Sequence, residues 1–108
     1  MEELPLAPSC ALDEAGMRAQ RDRYREAGAG ARVVERRCRR LVVDLDGRVD
    51  ERLVRELLAV ERECCPFFEL GWQSRARRLT VAVSRTEHEP ALDAIAHALG
   101  LAHAEKNA

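Results

Sequence analysis

The sequence predicts an α+β domain: a two-layer sandwich in α-ββ-α-ββ-α order, whose four-stranded antiparallel sheet carries its helices on one face. Three observations predict it. Large apolar residues recur at every second position in "RRLVVDLDG" (Leu41, Val43, Leu45) and again in "RRLTVAV" (Leu79, Val81, Val83), the period of a strand with one buried face. Around these runs lie three segments with apolar residues at helical spacing, each opened by a capping aspartate or a proline. Finally, "RRLVVDLDGRVDERLVRELLA" from Arg39 lies without gaps on "RRLTVAVSRTEHEPALDAIAH" from Arg77. A duplicated strand-pair-plus-helix unit and plain periodicity in a simple composition both produce such an echo.

Residues 1–12 read as an N-terminal tail, 13–103 as the single domain and 104–108 as a C-terminal tail. Asp13 is placed to N-cap a first helix that ends in "AGAG", residues 27–30. This helix is arginine-rich, with Met17 and Tyr24 as its anchors. A weak strand over Val33–Arg36 turns at Cys38 into a stronger one, where Leu41, Val43 and Leu45 share a face. Gly47 and Asp50 stop that strand and cap a second helix. Past Pro66, Phe68, Leu70 and Trp72 alternate onto one face, "QSRAR" has hairpin length, and Leu79, Val81 and Val83 form the returning strand. Pro90 suits the first turn of a last helix, whose Leu92, Ile95, Ala96 and Leu99 form one stripe before Gly100 ends it.

Composition bounds what such a domain does. At 108 residues the chain closes one core without help from disulfides. Hydrophobic residues at 46% and charged ones at 34% describe a soluble, globular protein, and a net charge of −1 sets up no field for nucleic acid or an anionic membrane. Of the 18 basic residues only Lys106 is not arginine, a bias of base composition rather than a phosphate-binding surface. Nucleic acid is therefore not an expected partner. No run nears the ~20 apolar residues of a membrane span, and the acidic start "MEELPLAPSC", broken by Pro5 and Pro8, is unlike a signal peptide. A cytoplasmic location follows as the expectation. Thiols stay reduced there, so cysteines read as ligands, nucleophiles or core filler rather than disulfides.

The chemistry concentrates in "VERECCPFF", residues 60–68. Winding the second helix at about 100° per residue puts Leu53, Val54, Leu57, Leu58, Cys64 and Cys65 in one half, and Glu61 near the centre of that half. Glu61 then sits one turn below both cysteines. A carboxylate there loses several kcal/mol of solvation unless something compensates it. One compensation is an arginine from the first helix or a strand; the other is a role beside the thiols as ligand, base or hydrogen-bond acceptor. Adjacent residues on a continuous helix point about 100° apart, but Pro66 removes an N–H and pushes Cys65 out of helical angles, freeing the second thiol. A helix C-terminus disfavours a thiolate, which argues against an activated nucleophile, whereas a soft cation deprotonates thiols outright. Two cysteines beside phenylalanines also suit plain core packing.

Other candidates are weaker. Cys10 precedes the first helix and would turn a two-sulfur site for Hg(II) or Cu(I) into a three-sulfur site for As(III), or most of a zinc site. Cys38, inside "RRCRR", reads as an exposed turn residue with a thiol acidified by its neighbours. His97 falls on the polar half of the last helix and His103 beyond Gly100 in the tail, both read as solvated, and His88 precedes a helix start, where it caps or binds locally. Phe67, Phe68 and Trp72 are core residues or the walls of a small pocket next to the cysteines. No phosphate loop, H-E-x-x-H or G-x-S-x-G is present, and nothing indicates an organic cofactor.

With "SCALDEAGMRAQRDRYREAG", "VERECCPFFELGW" and "RRLTVAVSRTEHEPALDAIAHALG", the chain resembles a family of small, uncharacterised actinobacterial domains with an E-x-x-C-C-P-F-F core, here Glu61, Cys64, Cys65, Pro66, Phe67 and Phe68. These occur alone or fused to metal-responsive regulators of the mercury-resistance type. The resemblance implies a third thiol at Cys10 and, by association, soft-metal or thiol-linked sensing. This chain shows no DNA-binding helix pair, so direct transcriptional control is not implied. The expected function is binding of a soft metal or metalloid ion (Hg, As(III), Cu(I) or Zn) through Cys64, Cys65, Cys10 and Glu61, for sequestration, delivery or sensing. The expected partners are that ion, a second copy of the chain and a separate regulator protein. The alternatives are a thiol-dependent redox or small-molecule enzyme using the same cysteines, and a ligand-free interaction domain that buries them.

Overall fold

A computed structural model describes residues 12–101. Its elements follow the expected α-ββ-α-ββ-α order: α1 (Glu14–Ala27), β1 (Arg32–Arg37), β2 (Arg40–Asp44), α2 (Glu51–Cys64), β3 (Glu69–Gln73), β4 (Arg78–Ala82) and α3 (Glu89–Ala98). A 3₁₀ turn over Thr86–His88 leads into α3. The two caps behave as read. Asp13 accepts from the N–H of Gly16, and Asp50 from that of Arg52, each satisfying a donor left over in a first turn. No described helix is long and apolar enough to cross a membrane.

The four strands form one antiparallel sheet in the order β1-β2-β4-β3. Its centre is the β2–β4 pair, with Leu41 opposite Val81 and Val43 opposite Leu79. These four are at most 1% exposed and join Val54, Leu57, Leu92, Ile95 and Leu99 of the helices in one core. Val42, on the other face of β2, is buried without joining that core. The hydrophobic layer therefore lies between the helices and a single face of the sheet.

The internal echo has a spatial counterpart. Shifting Arg39 onto Arg77 carries β2 onto β4 and Glu51, the first residue of α2, onto Glu89, the first of α3. The two halves meet across β2–β4 through matching bonds: the N–H of Leu45 donates to the Arg77 carbonyl at 2.8 Å, and that of Val83 to the Arg39 carbonyl at 3.0 Å. Each half is a hairpin followed by a helix, and neither covers its own apolar face alone.

α1 stands outside this pairing and closes over α2 and α3. Its exit depends on Gly28, where an added Cβ would meet the backbone oxygen of Leu99 at 2.0 Å. Backbone cannot move aside as a flexible side chain can, so only glycine lets α1 approach the end of α3 this closely. Gly28→Ala should cost about 3 kcal/mol or more through overpacking, whereas Gly47→Ala, with nothing within 4 Å of the new Cβ, should be neutral or slightly stabilising. Urea midpoints of the two variants check this; equal midpoints would contradict the contact.

Candidate functional site

Where α1, α2 and α3 converge, the structure leaves a cavity of about 160 Å³. Its lining includes Glu61, Cys64 and Cys65 from the end of α2, Gln20 and Tyr24 from α1, and Phe68 just past Pro66. Ala91, Ala94, Ile95 and Ala98 of α3 form the opposite wall. Three of the candidate site residues are thus brought together, as the helical winding required.

Glu61 is 7% exposed, so its burial is as expected. Of the two expected compensations the acceptor role beside the thiol holds, since Glu61 accepts from Cys65, and two unforeseen donors take the place of the arginine. No arginine touches it: the Tyr24 hydroxyl donates to Glu61 Oε1 at 2.7 Å and Gln20 Nε2 donates to the same oxygen at 3.1 Å. Gln20 Nε2 also donates to the Leu57 carbonyl at 3.0 Å, which holds the amide in one orientation. The expected guanidinium lies one bond further out. Arg23 donates to Gln20 Oε1 at 2.7 Å and pairs with Glu56 at 3.3 Å near the surface. A neutral amide and a phenol are cheaper to bury than a charged guanidinium, and they still satisfy the carboxylate.

Cys64 is the last residue of α2, and Cys65 is its C-cap with φ −132° and ψ 77°, outside the helical region. This is the break that Pro66 was expected to impose. Cys65 is 6% exposed and a free thiol. Burial first, then the nearby Glu61 charge and a hydrogen bond to that carboxylate, push its pKa up to about 12. The same burial and the same acid raise Tyr24 well above its ordinary value. The thiol is therefore a proton donor to Glu61 rather than a poised thiolate. Cys64 departs from the expectation of reduced thiols, since it is disulfide-bonded.

The remaining candidates scatter. Cys10 and His103 lie outside the described residues. Cys38 is exposed at the β1–β2 turn, as expected, and is also free. Among the described residues no group of three or more His, Cys, Asp or Glu is arranged to hold a metal ion, so Glu61, Cys64 and Cys65 do not form a ready cage. Of the three expected pocket residues, Phe68 lines the cavity and the other two stand apart. Phe67 stacks on His88, with ring centroids 4.2 Å apart, and His88 makes no side-chain cap for α3. Trp72 donates its indole N–H to Glu51 at 2.9 Å, with Arg77 over its ring at 5.6 Å. Gln20 was missed in the sequence; its one signal was a position one helical turn before Tyr24. Comparison with family models, with curated proteins and with solved structures gave no match.

Two outcomes follow. Tyr24→Phe should lower stability by about 1–2 kcal/mol by stripping a donor from a buried carboxylate, read as a drop in urea midpoint. Cys65 holds its proton to about pH 12 in the folded chain and to 9.0 when its environment is lost. The native state therefore binds more protons between those values, and its stability falls as pH rises through them. Cys65→Ala should make that alkaline limb shallower, the rest coming from Tyr24, whose pKa is also raised, and an unchanged limb would show that the thiol is not among the groups responsible.

Proposed function

We propose that this domain captures a soft metal or metalloid ion through cysteine sulfur at the three-helix cavity, for sequestration, delivery or sensing. The observation carrying this reading is that a free thiol, Cys65, sits against a buried carboxylate at the edge of a cavity whose lining also includes Cys64. Cys65 is the first sulfur donor and Cys64 the second once its disulfide is reduced. Cys10 is the candidate third. Glu61 takes up the thiol proton as the sulfur–metal bond forms, a role that its two fixed donors, Tyr24 and Gln20, prepare by holding it in place. Two sulfurs suit Hg(II) or Cu(I), and Cys10 as a third would admit As(III) or make most of a zinc site. Delivery to a separate regulator, and pairing of two copies of the chain, belong to the same proposal.

The disulfide at Cys64 favours one rival reading, thiol-dependent redox exchange. Exchange needs an attacking thiolate, and a thiol with its pKa near 12 supplies almost none at neutral pH. A thiophilic ion meets the same deprotonation cost, but the strength of the sulfur–metal bond it forms offsets that cost.

Titrating reduced protein with Hg(II) should give one ion per chain and a thiolate charge-transfer band. Both should be lost in Cys64→Ser and Cys65→Ser and kept in Cys38→Ser. Each sulfur–metal bond to a protonated thiol displaces one proton, which Glu61 relays to solvent, so apparent affinity should rise with pH by up to about tenfold per unit for each thiol still protonated. A signal that survives both serine variants, or turnover of a disulfide or peroxide by metal-free protein, would overturn the proposal.

A further inference from the structure

The cavity is larger than a bare ion requires. At about 160 Å³ it matches the roughly 150 Å³ of an apolar cavity that accepts a benzene ring. Away from Glu61, its walls are largely apolar, with Leu12, Met17, Phe68 and Ile95 beside the alanines of α3, and Arg21 is the one cationic residue among the described residues of the lining. The room comes from α3. The positions of α2 that match Ala91 and Ala98 in the internal repeat are Leu53 and Val60, so the second half carries alanines where the first carries larger side chains. The cavity is open to solvent on one side, so without a ligand its apolar walls face water, and a bare ion covers little of that surface.

Resting on the thiophilic reading above, we propose that the ligand is an organometal: a soft centre M with an aryl or alkyl group R and one exchangeable position X. The organic group fills the alanine-walled cavity, and the metal bonds Cys65 alone. One sulfur suffices for such a centre, which agrees with a single free thiol at the site while Cys64 is disulfide-bonded. In the step, R–M–X meets the Cys65 thiol; the S–H and M–X bonds break and the S–M bond forms. The proton passes to the Glu61 carboxylate, X leaves as an anion, and no atom changes oxidation state. Bare divalent ions, by contrast, need the second sulfur and hence reduction.

The test uses the full chain with Cys38→Ser, kept oxidised. Phenylmercury and methylmercury are bound in competition with iodide, which leaves disulfides intact. Adducts are counted by mass spectrometry. One phenylmercury per chain should bind at Cys65, at least about tenfold more tightly than methylmercury, from the extra apolar area buried. Ala94→Leu should abolish that preference while still binding methylmercury; Ala98→Leu serves if the first variant fails to fold by circular dichroism. Equal affinity for the two ligands, or a phenyl preference untouched by both leucine variants, would overturn the organometal inference and leave the soft-metal proposal standing. Aniline or phenol binding as tightly as phenylmercury in Cys65→Ser would also overturn it. If neither organomercurials nor, in reduced protein, Hg(II) depend on Cys64 or Cys65, the soft-metal proposal itself falls.

Discussion

A carboxylate enclosed by apolar side chains governs how the three helices assemble. Glu61 cannot stay charged in that setting without donors, and the structure supplies them from α1 at Gln20 and Tyr24, one helical turn apart. Matching two donors to one oxygen sets the rotation and height of α1 against α2, something generic hydrophobic contact would leave loose. The Gln20 amide is held in turn by the Leu57 carbonyl and by Arg23, so the orientation of the acid is specified by a chain that runs out to Glu56. The cavity is what remains where α1 is held by these bonds and α3 offers only alanines.

The matched element order of the two halves makes this site stand out. Most matched positions do the same work: Leu41 and Leu79 in the sheet, Leu57 and Ile95 under it, Arg39 and Arg77 accepting the bonds that join the halves. Glu61 matches Leu99, which is buried as a simple core residue. An acid replaces a leucine in one half, and alanines replace Leu53 and Val60 in the other. Departures from a scaffold's own rule that need this much compensation belong at functional or strained positions.

Chemically the site is built to keep a thiol neutral. A helix C-terminus, burial and an adjacent carboxylate all act against the Cys65 thiolate. Those conditions suppress attack on ordinary electrophiles and on disulfides. Under the proposed soft-metal reading, a ligand whose bond to sulfur is strong enough to expel the proton would escape this suppression, with Glu61 as the proton's acceptor. Selectivity for soft centres would then come from the raised cost of other reactions.

The sequence by itself determined the element order, both aspartate caps, the break at Pro66, the one-sided sheet and the burial of Glu61 beside the cysteines. All of these follow from local periodicity, from capping groups or from proline, which act over a few residues. It also placed Phe68 at the site, but with Phe67 and Trp72, because strand alternation tells which face a residue takes and not which neighbour it meets. Only the tertiary structure decided that the acid is held by Tyr24 and Gln20 rather than by an arginine, that Arg36 lies fully buried and paired with Asp93 at 2.7 Å, and that a ring-sized cavity opens beside Cys65. Those outcomes depend on the distance and rotation between helices far apart in the chain. Seventeen chemically alike guanidinium groups leave no local pattern that marks which one reaches the core.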